Sequence, residues 1–403
     1  MKIYRVGGAV RDRLLGLPIV DCDWVVVGAS EDEMLAQGYT RVGKDFPVFL
    51  HPDTHEEYAL ARTERKQGSG YTGFAVDVAR SVTLEQDLAR RDLTINAMAE
   101  EADGTIIDPY GGRRDLAQRV LRHVTAAFTE DPLRALRVGR FAARFDFTVA
   151  PETMALMRAI TASGELDTLT PERVWRELER ALGEAHPQRF FEVLRECGAL
   201  RVVLPEVDAL FGVPQPAQHH PEIDCGAHLM LCLAAAARAG ADARVRFAVL
   251  VHDLGKATTP AAKLPQHIGH EERSVGLLNG LCDRLRVPQA CRELAVLVAR
   301  HHTNVHRALE LKASTVVDLL DKLDAYRRPA RFEECLLACE CDARGRAGFE
   351  DRPYPQAARL REALVVTREI DVAAIVAEHG PGPQIKTLLR EARIMALKAV
   401  SRD

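Results

Sequence analysis

No stretch of this 403-residue chain approaches the ~18–20 apolar residues of a membrane-spanning helix, so no membrane role is expected. The opening Met1-Lys2-Ile3-Tyr4-Arg5-Val6-Gly7-Gly8 lacks the apolar core of a signal peptide, and a cytoplasmic location is expected. The nine cysteines contain no C-x-x-C pair. Cys335, Cys339 and Cys341 lie close together but match no zinc spacing, so the thiols read as free, buried and reduced. Aromatic residues are scarce, at 5%, which leaves Leu, Val and Ala to build the cores and favours helices over a β-sandwich. Positive charge is not in excess either. A formal charge of −4 means that any nucleic-acid site must be a local basic patch. Internal repeats and low-complexity tracts are absent too.

What is present divides in two. Residues 1–120 alternate short apolar runs with turns. Strands are expected at Asp23-Trp24-Val25-Val26-Val27-Gly28, at Val48-Phe49-Leu50, at 57–61 and at the start of 106–112. Gln67–Gly73 is rich in glycine and reads as a mobile loop. Beyond about 113, amphipathic segments predict helices over 131–145, 151–163, 171–184, 187–197, 226–239, 243–253, 271–285, 289–302 and 313–324. Thr170-Pro171 supplies a cap and a first-turn proline for one of them. The proline-rich stretch 212–223 reads as a linker.

Chemistry enters at Gly7-Gly8, a glycine pair opening a helix, where backbone N–H groups can approach a phosphate. Asp21-Cys22-Asp23-Trp24 follows at the start of a strand, and alternation there places Asp21 and Asp23 on one face. Adjacent carboxylates repel, and they make sense around divalent cations that hold a triphosphate. This combination resembles the DNA polymerase beta-like nucleotidyltransferase superfamily. The resemblance implies Asp21 and Asp23 as catalytic ligands of Mg2+, and a third carboxylate on a neighbouring strand, Glu57 or the adjacent Glu56.

Arg90-Arg91-Asp92-Leu93-Thr94-Ile95-Asn96-Ala97 is more specific, and resembles the R-R-D-x-T-[IV]-N-A signature of class II tRNA nucleotidyltransferases and bacterial poly(A) polymerases. Glu130-Asp131-Pro132-Leu133-Arg134 resembles the E-D-x-x-R motif of the same enzymes. Arg134, Arg137, Arg140 and Arg144 recur along one helical face, and residues 113–144 hold eight arginines against three acids, the local basic patch. The resemblance implies that Gly8, Arg11, Arg91, Asp92, Asp131, Arg134, Arg137 and Arg140 bind CTP and ATP. Arg91 would hold phosphate and Asp92 a ribose hydroxyl, while Asp131 and Arg134 would read the base edge, with Asp131 accepting from the amine that C and A share. Selection would then need no nucleic-acid template.

A second site is expected after the apolar helix ending in His252-Asp253-Leu254-Gly255-Lys256, which resembles the HD phosphohydrolase superfamily. That likeness implies a divalent metal, with transition metals such as Ni2+ or Mn2+ as candidates, on His228, His252 and Asp253 with a distal Asp, either Asp324 or Asp342. His270 and His301-His302 follow on helices. Together the motifs resemble bacterial CCA-adding tRNA nucleotidyltransferases with an appended HD domain, which carry phosphatase, 2′-nucleotidase and 2′,3′-cyclic phosphodiesterase activities. The implied fold is α+β: a nucleotidyltransferase head (1–122), a helical neck and body (123–215), an HD domain (225–330) and a helical C-terminal tail (331–403). The implied partner is tRNA rather than DNA, in a monomer or homodimer. A poly(A) polymerase is the alternative, but such enzymes tend to carry a basic C-terminal extension and this sequence has an HD module instead.

Overall fold

The structure, a computed structural model, describes residues 1–42, 48–66, 74–218 and 220–400. The glycine-rich segment 67–73 and His219 therefore lie outside the described residues. The chain forms two compact units, Met1–Val203 and Leu204–Asp403.

The first unit begins with β1 (Lys2–Val6), β2 (Asp23–Val27), β3 (Thr40–Val42), β4 (Val48–Leu50) and β5 (Glu57–Leu60). A two-stranded hairpin of β6 (Thr63–Lys66) and β7 (Phe74–Asp77) follows, then β8 (Ala99–Glu100) and β9 (Ile106–Ile107). The main sheet has the order β3-β4-β5-β2-β1-β8-β9. Its centre is apolar on both sides. Val25 packs with Tyr4, Val6 and Leu88 on one face, while Val26 packs with Met34, Phe49 and Tyr58 on the other. Two-sided burial explains the unbroken Val25-Val26-Val27 run. Strand alternation then places Asp23 with Val25, and Trp24 with Val26, where its ring stacks on Tyr58 at 5.5 Å.

Helices complete this unit. Leu133–Phe145 packs against Pro171–Gly183 and Gln188–Glu196. Gly139 lets the second contact close, because a Cβ there would stand 3.1 Å from the Phe190 ring. Phe190 and Phe191 are fully buried at this crossing, each worth roughly 1.5–3 kcal/mol of transfer energy. The nine expected helices all form, with ends shifted by four residues at most.

In the second unit, the helix Ala243–Val251 is buried over its whole length from Val245 to Val251, with Arg246 buried among Val245, Phe247, Ala248, Val249, Leu250 and Val251. Such a helix must lie at the centre of a bundle. It is surrounded by Cys225–Arg238, Gln289–His306 and Pro329–Arg344, with His270–Leu285 packed on Gln289–His306. The residues that follow its last turn, His252 and Asp253, therefore end inside the protein.

Two expectations about organisation need correction. The stretch 212–223 is no slack linker: Pro214 and Asp224 form a β-bridge, Gln215 is 1% exposed, and Glu222 reaches His228. A tail beginning at 331 would cut through the helix Pro329–Arg344, which is part of the bundle. All nine cysteines are free, and eight are buried.

Candidate active sites

A cleft of about 510 Å³ opens on the Val25 face of the head sheet. Asp23 and Val25 of β2 and Glu57 and Ala59 of β5 line it. Asp23 and Glu57 are direct partners across the parallel β2–β5 pairing, so their carboxylates share a face. Of the two candidates for a third carboxylate, Glu57 is the one that lines the cleft. Glu56 instead accepts from Trp24 Nε1 at 3.2 Å. Asp21 precedes the strand, is exposed, and is not among the residues lining the cleft.

Eight arginines line the cleft with four carboxylates. Gly7 adopts φ 70°, and a Cβ there would stand 2.6 Å from Arg91 Nη1, so only glycine lets Arg91 lie across this turn. Asp87, fully buried, holds both members of the arginine pair, at 3.0 Å to Arg90 and 3.5 Å to Arg91. Sequence reasoning missed it. Its signal was an acid three and four residues before two arginines. Asn96 was missed as well: it joins Arg11 Nη1 (2.5 Å) to Asp92 Oδ1 (2.9 Å).

The arginine stripe lines the cleft as well, and its side chains also have partners within the protein. Each guanidinium is already engaged. Arg134 donates to the carbonyls of Ala127 (3.0 Å) and Arg90 (2.7 Å). Arg137 meets Asp92 at 2.7 Å, Arg140 meets buried Glu177 at 2.7 Å, and Arg144 meets Asp12 at 2.9 Å. Burial would push Asp92 up, but Arg137's charge and the Asn96 amide hold it well below the usual carboxylate range. Asp92 accepts from Leu93 N, Asn96 and Arg137, three of about four acceptor positions, leaving room for one further donor. Asp131 is not on the helix as expected. It lies in extended backbone before Pro132, accepts from Leu133 N at 3.0 Å, and is gripped by Arg173 at 3.0 Å, a partner the sequence did not reveal. Asp131 and Arg134 both line the cleft, as do Gly8, Arg11, Arg91, Asp92, Arg137 and Arg140.

The second site gathers residues from separate helices. His228 Nε2 is 2.9 Å from Asp342 Oδ1, and His252 Nε2 is 3.2 Å from Asp253 Oδ2 and 3.5 Å from Asp342 Oδ2. On the other side of Asp253, Oδ1 faces His270 Nε2 at 3.2 Å and His302 Nε2 at 3.5 Å. The distal aspartate is thus Asp342; Asp324 pairs with Arg327 and Arg331 instead. His301 is not in the cluster. Burial and Lys322 push it down to about 4. Gly255 makes the approach possible, since a Cβ there would meet the His270 carbonyl at 2.2 Å. The turn after Asp253 can therefore press against the start of the helix His270–Leu285.

The donor set fits a metal ion. Nδ1 of His252, His270 and His302 lies 2.7, 2.8 and 3.1 Å from the carbonyls of Val249, His267 and Ala299, which fixes each ring with Nε2 as its free lone pair. His270 Nε2 and His302 Nε2 then face each other at 3.1 Å, lone pair to lone pair unless a cation or proton comes between. His252 Nε2 and Asp253 Oδ1 are buried without a hydrogen bond. Among the described residues, His228, His252 and Asp253 form one group able to hold an ion, and Asp253, His270 and His302 another. Burial would raise Asp253, yet His252 and Lys256 hold it well below the usual carboxylate range. Lys256 Nζ sits 2.6 Å from Asp253 Oδ2.

Comparison with known proteins finds matches to both parts of the chain. Residues 3–122 match the poly A polymerase head domain, 146–211 the probable RNA and SrmB-binding site of polymerase A, and 226–326 the HD domain. The multifunctional CCA protein of Paracidovorax citrulli is 62% identical, covering 98% of this chain and 96% of that protein. That of Nitrosococcus oceani is 60% identical, covering 99% and 98%. Among solved structures, the Bacillus stearothermophilus CCA-adding enzyme in complex with CTP shares the fold, with a TM-score of 0.64 at 24% identity over 97% of this chain and 87% of that one. So does the Thermotoga maritima CCA-adding enzyme complexed with tRNA, with a TM-score of 0.61 at 21% identity over 98% and 86%.

Proposed function

The chain belongs to the family of multifunctional CCA proteins, and from that premise we propose that its head builds and repairs the CCA end of tRNA from CTP and ATP, while its HD bundle hydrolyses phosphoesters. The observation that carries the first half is the pairing of Asp23 with Glu57 inside a cleft lined by eight arginines. Asp23 and Glu57, with Asp21 two residues earlier in the chain, would hold Mg2+, which would ease deprotonation of the attacking hydroxyl and offset triphosphate charge. The RNA 3′-oxygen forms its bond to the α-phosphorus as the bond to diphosphate breaks. Arg11 and Arg91, which lie against Gly8 and Gly7, bind the phosphates, with Arg62 and Arg90 also in the cleft wall. Asp92 takes a ribose hydroxyl with its remaining acceptor position. Asp131 and Arg134 face the base, and their partners Arg173, Ala127 and Arg90 fix them before it arrives.

In the HD bundle, His228, His252, Asp253 and Asp342 would hold a divalent metal, with His270 and His302 on the other oxygen of Asp253. A transition metal such as Ni2+ or Mn2+ suits so many imidazoles, and would activate water against a phosphoester. Lys256 holds Asp253 in its charged form and in place.

The test supplies tRNA lacking its CCA end with CTP plus ATP, or with ATP alone. CCA addition requires incorporation that stops after three nucleotides and depends on CTP. Long tails from ATP alone would show a poly(A) polymerase instead.

A further inference from the structure

Beside the HD centre lies a second cavity of about 730 Å³, which the chemistry described above does not use. It adjoins a cleft of about 690 Å³ lined by Asp253, His270, His302 and Asp342, since His306 and Arg346 line both. Its walls carry Arg344, Arg346 and Arg352 against a single carboxylate, Glu310, which Arg307 engages at 3.1 Å. Phe349 stands between the two outer arginines in the chain, with the guanidinium carbon of Arg352 4.9 Å and that of Arg346 5.6 Å from its ring centroid. Cations interleaved with an aromatic plane suit a phosphodiester chain whose bases need a stacking surface.

The loop bearing these residues is fixed relative to Asp342. Gly345 packs so tightly that a Cβ would stand 2.5 Å from Cys232 Cα, and the Ala347 amide donates to Glu222, which also contacts His228. At the mouth of the cavity, Tyr354 Oη is 2.8 Å from His306 Nδ1, and His306 Nε2 is 2.7 Å from Asp342.

We propose that this groove binds the nucleotides preceding a terminal phosphoester, so that the HD centre acts on the 3′ end of an RNA chain in preference to a free mononucleotide. The inference rests on the phosphohydrolase reading of the HD site. With the reacting phosphate at Asp253 and Asp342, the next residue upstream reaches Arg346, and the following base reaches Phe349 and Arg352.

The experiment uses the full chain with Ni2+ or Mn2+ and measures kcat/KM for a 2′,3′-cyclic mononucleotide and for a tetranucleotide ending in the same cyclic phosphate. Wild type is expected to favour the tetranucleotide at least tenfold, mainly through KM. Arg352→Glu and Phe349→Ala, on the exposed loop, should each remove most of that preference while mononucleotide hydrolysis stays within twofold. Equal kcat/KM for the two substrates in wild type, or a preference untouched by both variants, overturns the groove and leaves the hydrolase reading standing. Absence of hydrolysis of either substrate overturns the hydrolase reading and the groove with it.

Discussion

Asp23 is exposed at the start of a strand, with its partner Glu57 also exposed, while Asp253 is 6% exposed just after a helix buried from Val245 to Val251. The head thus displays its candidate catalytic carboxylates in a cleft and spends its buried charge on internal pairs. Arg137–Asp92, Arg140–Glu177 and Arg144–Asp12 hold the cleft's shape. The HD bundle does the reverse, burying its ligands and leaving their lone pairs facing one another. The difference teaches that removing a functional group should spare the fold in the head and perturb it in the bundle, where ion binding is coupled to folding.

The largest effect should come from Asp23→Ala, which is expected to lower CTP incorporation by at least about a thousandfold by removing a metal ligand from the reacting centre. Thermal unfolding should show no loss of stability, since relief of repulsion from Glu57 is the only change within the sheet. Unfolding of the variant, or retention of most activity, would break the contrast. Next comes Arg140→Gln. With Glu177 left buried and unpaired, urea unfolding should show a loss of about 3–5 kcal/mol, whereas replacing both residues by leucine should recover most of it. A variant of normal stability with weakened nucleotide binding would return Arg140 to the substrate-binding group that the sequence suggested.

Much of the head was legible because its chemistry is contiguous. Gly7-Gly8, Arg90–Ala97 and Glu130–Arg134 are each a short run of consecutive residues, so spacing alone groups them. What spacing could not show is which arginines are committed: Asn96 for Arg11, Asp92 for Arg137, Glu177 for Arg140 and Asp12 for Arg144 lie far off in the chain, and only folding brings them in. The bundle was harder. His252-Asp253 stands out after its apolar helix, but Asp342 is 89 residues further on (342 − 253), and nothing in a single sequence separates it from Asp324. The stretch 212–223 was misread because proline density marks breaks in regular structure, not whether the segment packs.

Asp342→Ala should therefore lower metal-dependent hydrolysis by on the order of a hundredfold or more, and Asp324→Ala should leave it within about threefold. Equal losses in a 2′,3′-cyclic phosphate assay would mean that the bundle's geometry does not choose between them. A smaller effect is expected at the base edge. Asp131→Ala should cost about 1–3 kcal/mol in discrimination, so that CTP and ATP slow far more than UTP. The readout is kcat/KM for each of the four nucleoside triphosphates on a tRNA acceptor. Undiminished preference for C over U would place selection elsewhere in the cleft.

One measurement tests most directly the claim that two separate chemistries share this chain. His252→Ala and Asp253→Ala proteins are assayed side by side for CCA addition to tRNA and for hydrolysis of a 2′,3′-cyclic nucleotide, with circular dichroism recorded on the same samples. The arrangement of the two sites predicts that hydrolysis is lost and CCA addition stays near wild type. A parallel fall in both activities, with native circular dichroism, would contradict it.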